Sequence, residues 1–340
     1  MKTVHDFEWG MEYLGLDFED HKSYDAVLDY TERNLAQSDV FFTPPKLKEG
    51  EYKLEGDILT FPSSIVTKVP KNNLVKMQYY PVENKDVVIV VVPHWNASRE
   101  TYHKICLMLQ KIKFPCLRVT LPYHPSLDTE RNMDNGRDNG EEESSTMMVS
   151  ANIGLTIQAM QQSVRDIISS IDWLESQGFR KIGIMGSSIG SCCGFIAACH
   201  DRRVKGFFAN LMSSNFGDVV WTGISTAHIR KSFDAYNRTC EKGSEVTQEM
   251  IEKVWMLNSP IAFVDKIRIY NPNLQQFIVS GRYDTTFLLK YTLEIIEAYK
   301  KHKIRFNNII LPCGHYSLGK YWFKYIDGLC IYKFFSSVLK

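Results

Sequence analysis

The sequence predicts an α/β chain: a mostly parallel central sheet with helices on both faces. Three observations predict it. Val87-Val88-Ile89-Val90-Val91-Val92 is an unbroken β-branched run, the pattern of a strand buried on both faces. From that run onward, apolar strands alternate with helical periods, and such alternation builds parallel sheets. Finally, Lys181-Ile182-Gly183-Ile184-Met185-Gly186-Ser187-Ser188-Ile189-Gly190 carries an apolar strand directly into Gly-x-Ser-x-Gly and a small-residue helix.

The elements follow in order. Residues 1–50 read as a helical N-terminal extension, with Tyr24, Val27, Leu28 and Tyr30 at helical spacing and a stop near Pro44-Pro45. The main domain is expected over 51–340. Strand patterns cover Ile58 to Val66, Leu74 to Tyr80 and Val87 to Val92, and a helix from about Ser98 to Lys113 leads to a strand at Cys116 to Leu121. A long helix from about Leu155 to Glu175 ends at Gly178, before the strand that reaches Ser188. Strands at Gly206 to Leu211, Gln276 to Ser280 and Asn308 to Pro312 complete the sheet.

Two stretches interrupt the alternation. Residues 122–150 are too polar to pack and read first as a solvated loop. Residues 213–260, with helices expected near Ser225 to Tyr236 and Thr247 to Trp255, are the better candidate for a small cap, inserted after the sixth strand.

Composition narrows the function by exclusion. Lys plus Arg total 40 against 39 Asp plus Glu, so a net charge of +1 gives no general attraction to nucleic acid or an anionic membrane. The longest aliphatic run is too short to span a bilayer and the start has no signal-like pattern, so a soluble cytoplasmic protein without a transmembrane segment is expected. The eight cysteines lack the spacing of a disulfide framework or of paired metal sites, and read as buried thiols. No short His/Glu ligand spacing appears, so neither a metal nor a cofactor is expected.

The chemistry resides at strand ends. Flanking glycines let Ser188 occupy a sharp turn, and the helix behind it aims its free N-terminal amides at the place where a negative oxygen would develop during acyl transfer. A serine hydroxyl needs a base to take its proton and a carboxylate to hold that base in the right tautomer. Asp284 follows the strand Phe277-Ile278-Val279-Ser280, and His315 follows Asn308-Ile309-Ile310-Leu311-Pro312. In a parallel sheet, groups just beyond the carboxyl ends of strands converge on one edge. Asp218, one strand earlier, is a rival for the acid. His94, His124 and His228 read as structural or substrate-lining, and Phe216, Trp221 and Trp255 as either pocket lining or packing.

With Gly186-Ser187-Ser188-Ile189-Gly190, Asp284 and His315 in this order, the chain resembles the α/β-hydrolase superfamily over roughly residues 51 to 335. Pro93-His94-Trp95-Asn96-Ala97, Asp218 to Gly223 and Leu311 to Ser317 are further similar to a branch known only as α/β-hydrolase-domain proteins. The resemblance implies an oxyanion hole made by the Ile189 amide and one from the loop Pro93-His94-Trp95-Asn96. Trp95 stands where many lipases and esterases carry glycine, which leaves Trp95 and Asn96 as alternatives for the second donor.

The reading that follows is a serine hydrolase of small carboxylic esters, with Ser188 as nucleophile, His315 as base and Asp284 as its orienting acid. Thioesterase, peptidase and acyltransferase chemistry would use the same residues, and a catalytically silent binding protein on this fold is the alternative of another class. A dinucleotide-binding reading fails, because the fingerprint would want a glycine at Cys192 and a position near the first strand. Oligomeric state is open.

Overall fold

The computed structural model describes residues 5–16, 23–83, 86–125, 127 and 145–339. Nine strands form one sheet: β1 (Lys53–Glu55), β2 (Ile58–Pro62), β3 (Leu74–Tyr80), β4 (Val87–Val92), β5 (Cys116–Arg118), β6 (Lys181–Ser187), β7 (Val204–Asn210), β8 (Gln275–Gly281) and β9 (Asn307–Leu311). Their spatial order is β1-β2-β3-β5-β4-β6-β7-β8-β9. The first three strands pair antiparallel, β3 joins β5 antiparallel, and β5 through β9 run parallel. The apolar run Val87 to Val92 is β4, buried along its whole length between β5 and β6. The polar triplet β1 has all three residues exposed and carries no alternating pattern, so sequence reading did not anticipate it. Its presence makes the strand before the 213–260 insertion the seventh rather than the sixth.

Helices cover both faces because successive strand residues point to opposite sides. On β7, Phe207 meets Phe195 of the helix Ile189–His200, whereas its neighbour Phe208 packs on Phe334 and Phe335 of the C-terminal helix Phe323–Val338. Burying an aromatic side chain of this size contributes roughly 2 kcal/mol. The helix Ile153–Ser176 starts where the Asn152 side chain accepts the Leu155 amide at 2.9 Å. It ends at Gly178, whose φ of 96° suits glycine and lets the Phe179 amide turn back to the Leu174 carbonyl. The expected helix from Ser98 is shorter, His103–Lys111, because residues 98–102 form a turn that ends with Tyr102 in the left-handed region.

The N-terminal extension contains the helices Ser23–Ala36 and Ser38–Phe42. They are tied down along their length. Thr31 donates to the Val254 carbonyl, Phe42 packs on His200 and Phe263, and the Phe41 carbonyl accepts from Gln161 and Arg165. Phe7 closes against Phe233 and Tyr236. The insertion carries helices Phe216–Thr222, Ala227–Asn237 and Gln248–Val254, the last capped by the Thr247 side chain. All eight cysteines are free, with Cys106, Cys116, Cys192, Cys193, Cys199 and Cys313 buried. The acidic loop segment 128–143 lies outside the described residues. Among the described residues, no helix is long and apolar enough to cross a membrane, and no cluster of His, Cys, Asp or Glu could hold a metal ion.

Candidate functional site

Ser188 joins β6 to the helix Ile189–His200 with φ 54° and ψ −124°, a conformation that a non-glycine residue occupies only under constraint. The constraints are local. Its N–H donates to the Asn210 carbonyl on β7 at 2.8 Å, and its carbonyl accepts from the Ser191 amide at 2.8 Å and the Ser191 hydroxyl at 2.6 Å. Tight packing needs both flanking glycines: a Cβ on Gly186 would fall 2.4 Å from the Gly190 carbonyl oxygen, and one on Gly190 would fall 2.3 Å from that of Pro93. Backbone atoms cannot step aside as side chains can. Gly190→Ala is therefore expected to lower stability by about 3 kcal/mol, read as a drop in melting temperature; a melt within one degree of the parent would contradict this packing.

The Ser188 hydroxyl lies 3.0 Å from His315 Nε2, and His315 Nδ1 lies 2.8 Å from Asp284 Oδ2. Asp284 Oδ1 accepts the amides of Thr286 and Phe287, each at 2.8 Å. Both carboxylate oxygens are thus occupied, which fixes the plane of the carboxylate against the imidazole. The two loops are stitched together as well, by the Tyr283 amide on the Cys313 carbonyl at 2.9 Å and by the Arg282 amide on the Leu311 carbonyl at 2.8 Å. Phe287 and Tyr316 pack about the imidazole, with ring centroids 5.2 and 5.3 Å away. As first residue of its helix, Ile189 has no intrahelical acceptor for its N–H, which lies at the positive end of the helix dipole.

Ser188 and His315 open onto a cavity of about 920 Å³. Its walls come from the loop after β4, the turn before the helix His103–Lys111, the insertion and the loop around His315. Among the described residues, none of the N-terminal extension lines it.

No protein-family model matches the chain. It is 34% identical over 128 residues to an Escherichia coli protein described as an uncharacterized 31.7 kDa protein in the traX-finO intergenic region, a match that covers 36% of this chain and 44% of that one. The chain thus spans less than half the length of the curated relatives it matches. Among solved structures, an acetyl xylan esterase from Paenibacillus sp. R4 superposes with a TM-score of 0.61 at 12% identity, over 96% of this chain and 99% of the other. The Pyrococcus furiosus esterase Pf2001 gives 0.52 at 14% identity, over 88% and 98%. A Pyrococcus horikoshii acylaminoacyl peptidase gives 0.58 at 17% identity, over 87% of this chain and 43% of that one. The chain has an α/β-hydrolase fold.

Within this fold the other sequence-predicted residues separate. His94 and Phe216 line the cavity, as do Trp95, Asn96 and Ile189. His94 is kept neutral by burial, which lowers its pKa, and its Nδ1 donates to the Trp95 carbonyl at 2.7 Å. The Asn96 amide is already committed, donating to His124 Nε2 at 2.9 Å, which removes Asn96 from the oxyanion candidates. Burial pushes His124 down to about 4, so that it stays neutral and able to accept, while its Nδ1 donates to the Pro122 carbonyl. Trp221 does not line the cavity. It stacks on Phe233 with centroids 5.5 Å apart and carries the Arg230 guanidinium 4.5 Å from its ring centre. Trp255 is fully buried and donates to the Ile153 carbonyl, a packing role. His228 stacks on the Trp95 ring, and Trp95 Nε1 donates to the Ser145 carbonyl at 2.8 Å. The rival acid Asp218 accepts from Gln248 within the insertion and makes no bond to His315.

Among the cavity-wall residues that sequence reading missed are Tyr102, Asn210 and Asp327. Asn210 ends a predicted strand and could have been found from that position. Asp327 sits on a C-terminal helix, Phe323–Val338, that was not foreseen, where it is a single acidic residue among five aromatic ones.

Proposed function

We propose that the protein is a serine hydrolase that cleaves carboxylic esters through an acyl-enzyme on Ser188. The observation that carries this reading is the continuous chain of contacts from Ser188 through His315 to Asp284 at the mouth of a cavity. In the proposed reaction the Ser188 oxygen attacks the carbonyl carbon and its proton passes to His315 Nε2. Asp284 holds Nδ1–H, which fixes the tautomer with Nε2 unprotonated and stabilises the imidazolium once formed. The tetrahedral oxyanion is taken by the Ile189 amide, with the Trp95 amide as second donor since that of Asn96 is engaged by His124. His315 then protonates the leaving alkoxide, and water resolves the acyl-enzyme by the same path in reverse.

Residues 213–260 act as the cap, because Phe216, Val219 and Val220 from its first helix line the cavity. Residues 1–50 support this insertion from outside, through the Thr31 and Phe7 contacts. Ester cleavage is favoured by the likeness of the fold to structures described as esterases across nearly their whole length.

A fluorophosphonate probe tests the assignment directly. Labelling is expected at Ser188, found by peptide mapping, and His315→Ala is expected to slow it by about a hundred-fold or more, since the base supplies activation of that order. An adduct on another serine would overturn the reading.

A further inference from the structure

The C-terminal helix Phe323–Val338 is apolar on two sides, and the sheet accounts for one of them. Phe334 and Phe335 face inward onto Phe208, with Phe323 and Ile331 also buried. The outer side carries Trp322, at the start of the helix, then Tyr325, Leu329 and Tyr332, a spacing of three, four and three residues that sets them in one stripe. They are 54%, 70%, 50% and 43% exposed. A helix that is apolar all round is normally covered all round, and a contiguous exposed apolar patch with a polar rim marks an interaction surface.

The rim of this stripe is basic. Lys320, Lys324 and Lys333 are exposed, with Lys324 Nζ 5.0 Å from the Tyr325 ring centre, whereas Asp327, the one acidic residue of the helix, is buried. The helix His103–Lys111 lies alongside, since a Cβ on Gly328 would fall 3.7 Å from Met108 Sδ. Its exposed residues are Lys104, Leu107 and Lys111, again on one side and again without a carboxylate. Exposed carboxylates stand at the border, Glu100 before this helix and Glu83 near its end. The chain as a whole carries a net charge of +1, so the basic, aromatic face is a local feature. Lys104 and Lys320 also line the Ser188 cavity, which therefore opens beside this face.

We propose that this face docks on the surface of an anionic phospholipid bilayer. Tyr and Trp rings have an apolar body and a polar tip, and they settle where headgroups meet acyl chains. Lysine stems lie along apolar surface while their ammonium groups reach the lipid phosphates. Each lysine held at an anionic leaflet strengthens binding about five-fold, so the rings and the lysines act on the same side of the balance. Charge also separates this occupant from a second copy of the chain. Two copies packed through the same patch would set lysines against lysines, which repel. Docking needs no catalysis and so stands apart from the ester-cleaving reading; its consequence is that the mouth of the Ser188 cavity lies against the leaflet.

Co-sedimentation with vesicles makes the test. Vesicles of phosphatidylcholine with about one third phosphatidylserine are expected to bind the protein at least ten-fold tighter than phosphatidylcholine alone, and to lose about ten-fold of that affinity between about 0.1 M and about 0.5 M salt. Lys324→Glu with Lys333→Glu should weaken binding at least ten-fold, and so should Trp322→Ser with Tyr325→Ser. All four side chains are exposed and none lines the cavity, so circular-dichroism melts should match the parent. Lipids brominated on their acyl chains should quench part of the tryptophan fluorescence, and that part should vanish in Trp322→Phe. This single change keeps an aromatic ring and reports which face enters the bilayer even if a double variant fails to fold. Equal binding to neutral and anionic vesicles, no binding to either, quenching that persists in Trp322→Phe, or a dimer in light scattering that Tyr325→Ser abolishes would each overturn the proposal.

Discussion

Replacing Ser188 by alanine is expected to lower turnover of an activated short-chain ester by about a thousand-fold or more, with the protein still folded. The size follows from losing covalent catalysis altogether, since what remains is water attacking an ester held near Ile189 and His315. The intact fold follows from the contacts. The hydroxyl's bond is to His315 Nε2, whereas the features that hold the turn, the Ser188 amide on Asn210 and the Ser188 carbonyl under Ser191, belong to the backbone. Alanine keeps the same Cβ and adds no strain at φ 54°. Initial rates on a p-nitrophenyl ester beside a circular-dichroism melt make the measurement, and an unchanged rate would assign the chemistry elsewhere.

The sequence made the sheet and its carboxyl edge legible because buried parallel strands leave a strong trace: short apolar runs rich in β-branched residues and bounded by turn signals, such as Val87 to Val92 and Ile182 to Met185. Ser188, Asp284 and His315 were readable from where those runs stop. What lay beyond the trace is instructive. The strand Lys53–Glu55 pairs through its backbone alone, so its side chains record nothing. Trp221 was left between pocket lining and packing because an aromatic residue in a helix looks the same whether it faces a cavity or, as here, Phe233 and Arg230. That His124 engages the Asn96 amide was not readable, because the bond is a contact across 28 positions of sequence. Asp327 was invisible for a related reason: one carboxylate on an aromatic helix shows its place in the cavity wall only when the fold brings Asn210 beside it.

Asp284→Asn separates orientation from mere proximity. The substituted carboxamide would keep its oxygen for the Thr286 and Phe287 amides, which both now bond Oδ1, and so would present its NH2 to His315 Nδ1. Two donors cannot face each other at 2.8 Å. The imidazole escapes by moving its proton to Nε2, where Nδ1 can accept from the carboxamide, but Nε2–H then points at the Ser188 hydroxyl and can no longer take its proton. Turnover near pH 7 is therefore expected to fall about 10³–10⁴-fold with little change in KM, because the cavity is untouched. Asp218→Asn, on a residue that bonds Gln248, should leave the rate within a few-fold of the parent. If instead Asp284→Asn kept its rate within ten-fold and Asp218→Asn lost it, the acid would have to be reassigned to the earlier strand, and His315 would need a rearrangement of the loop after β9 to reach it.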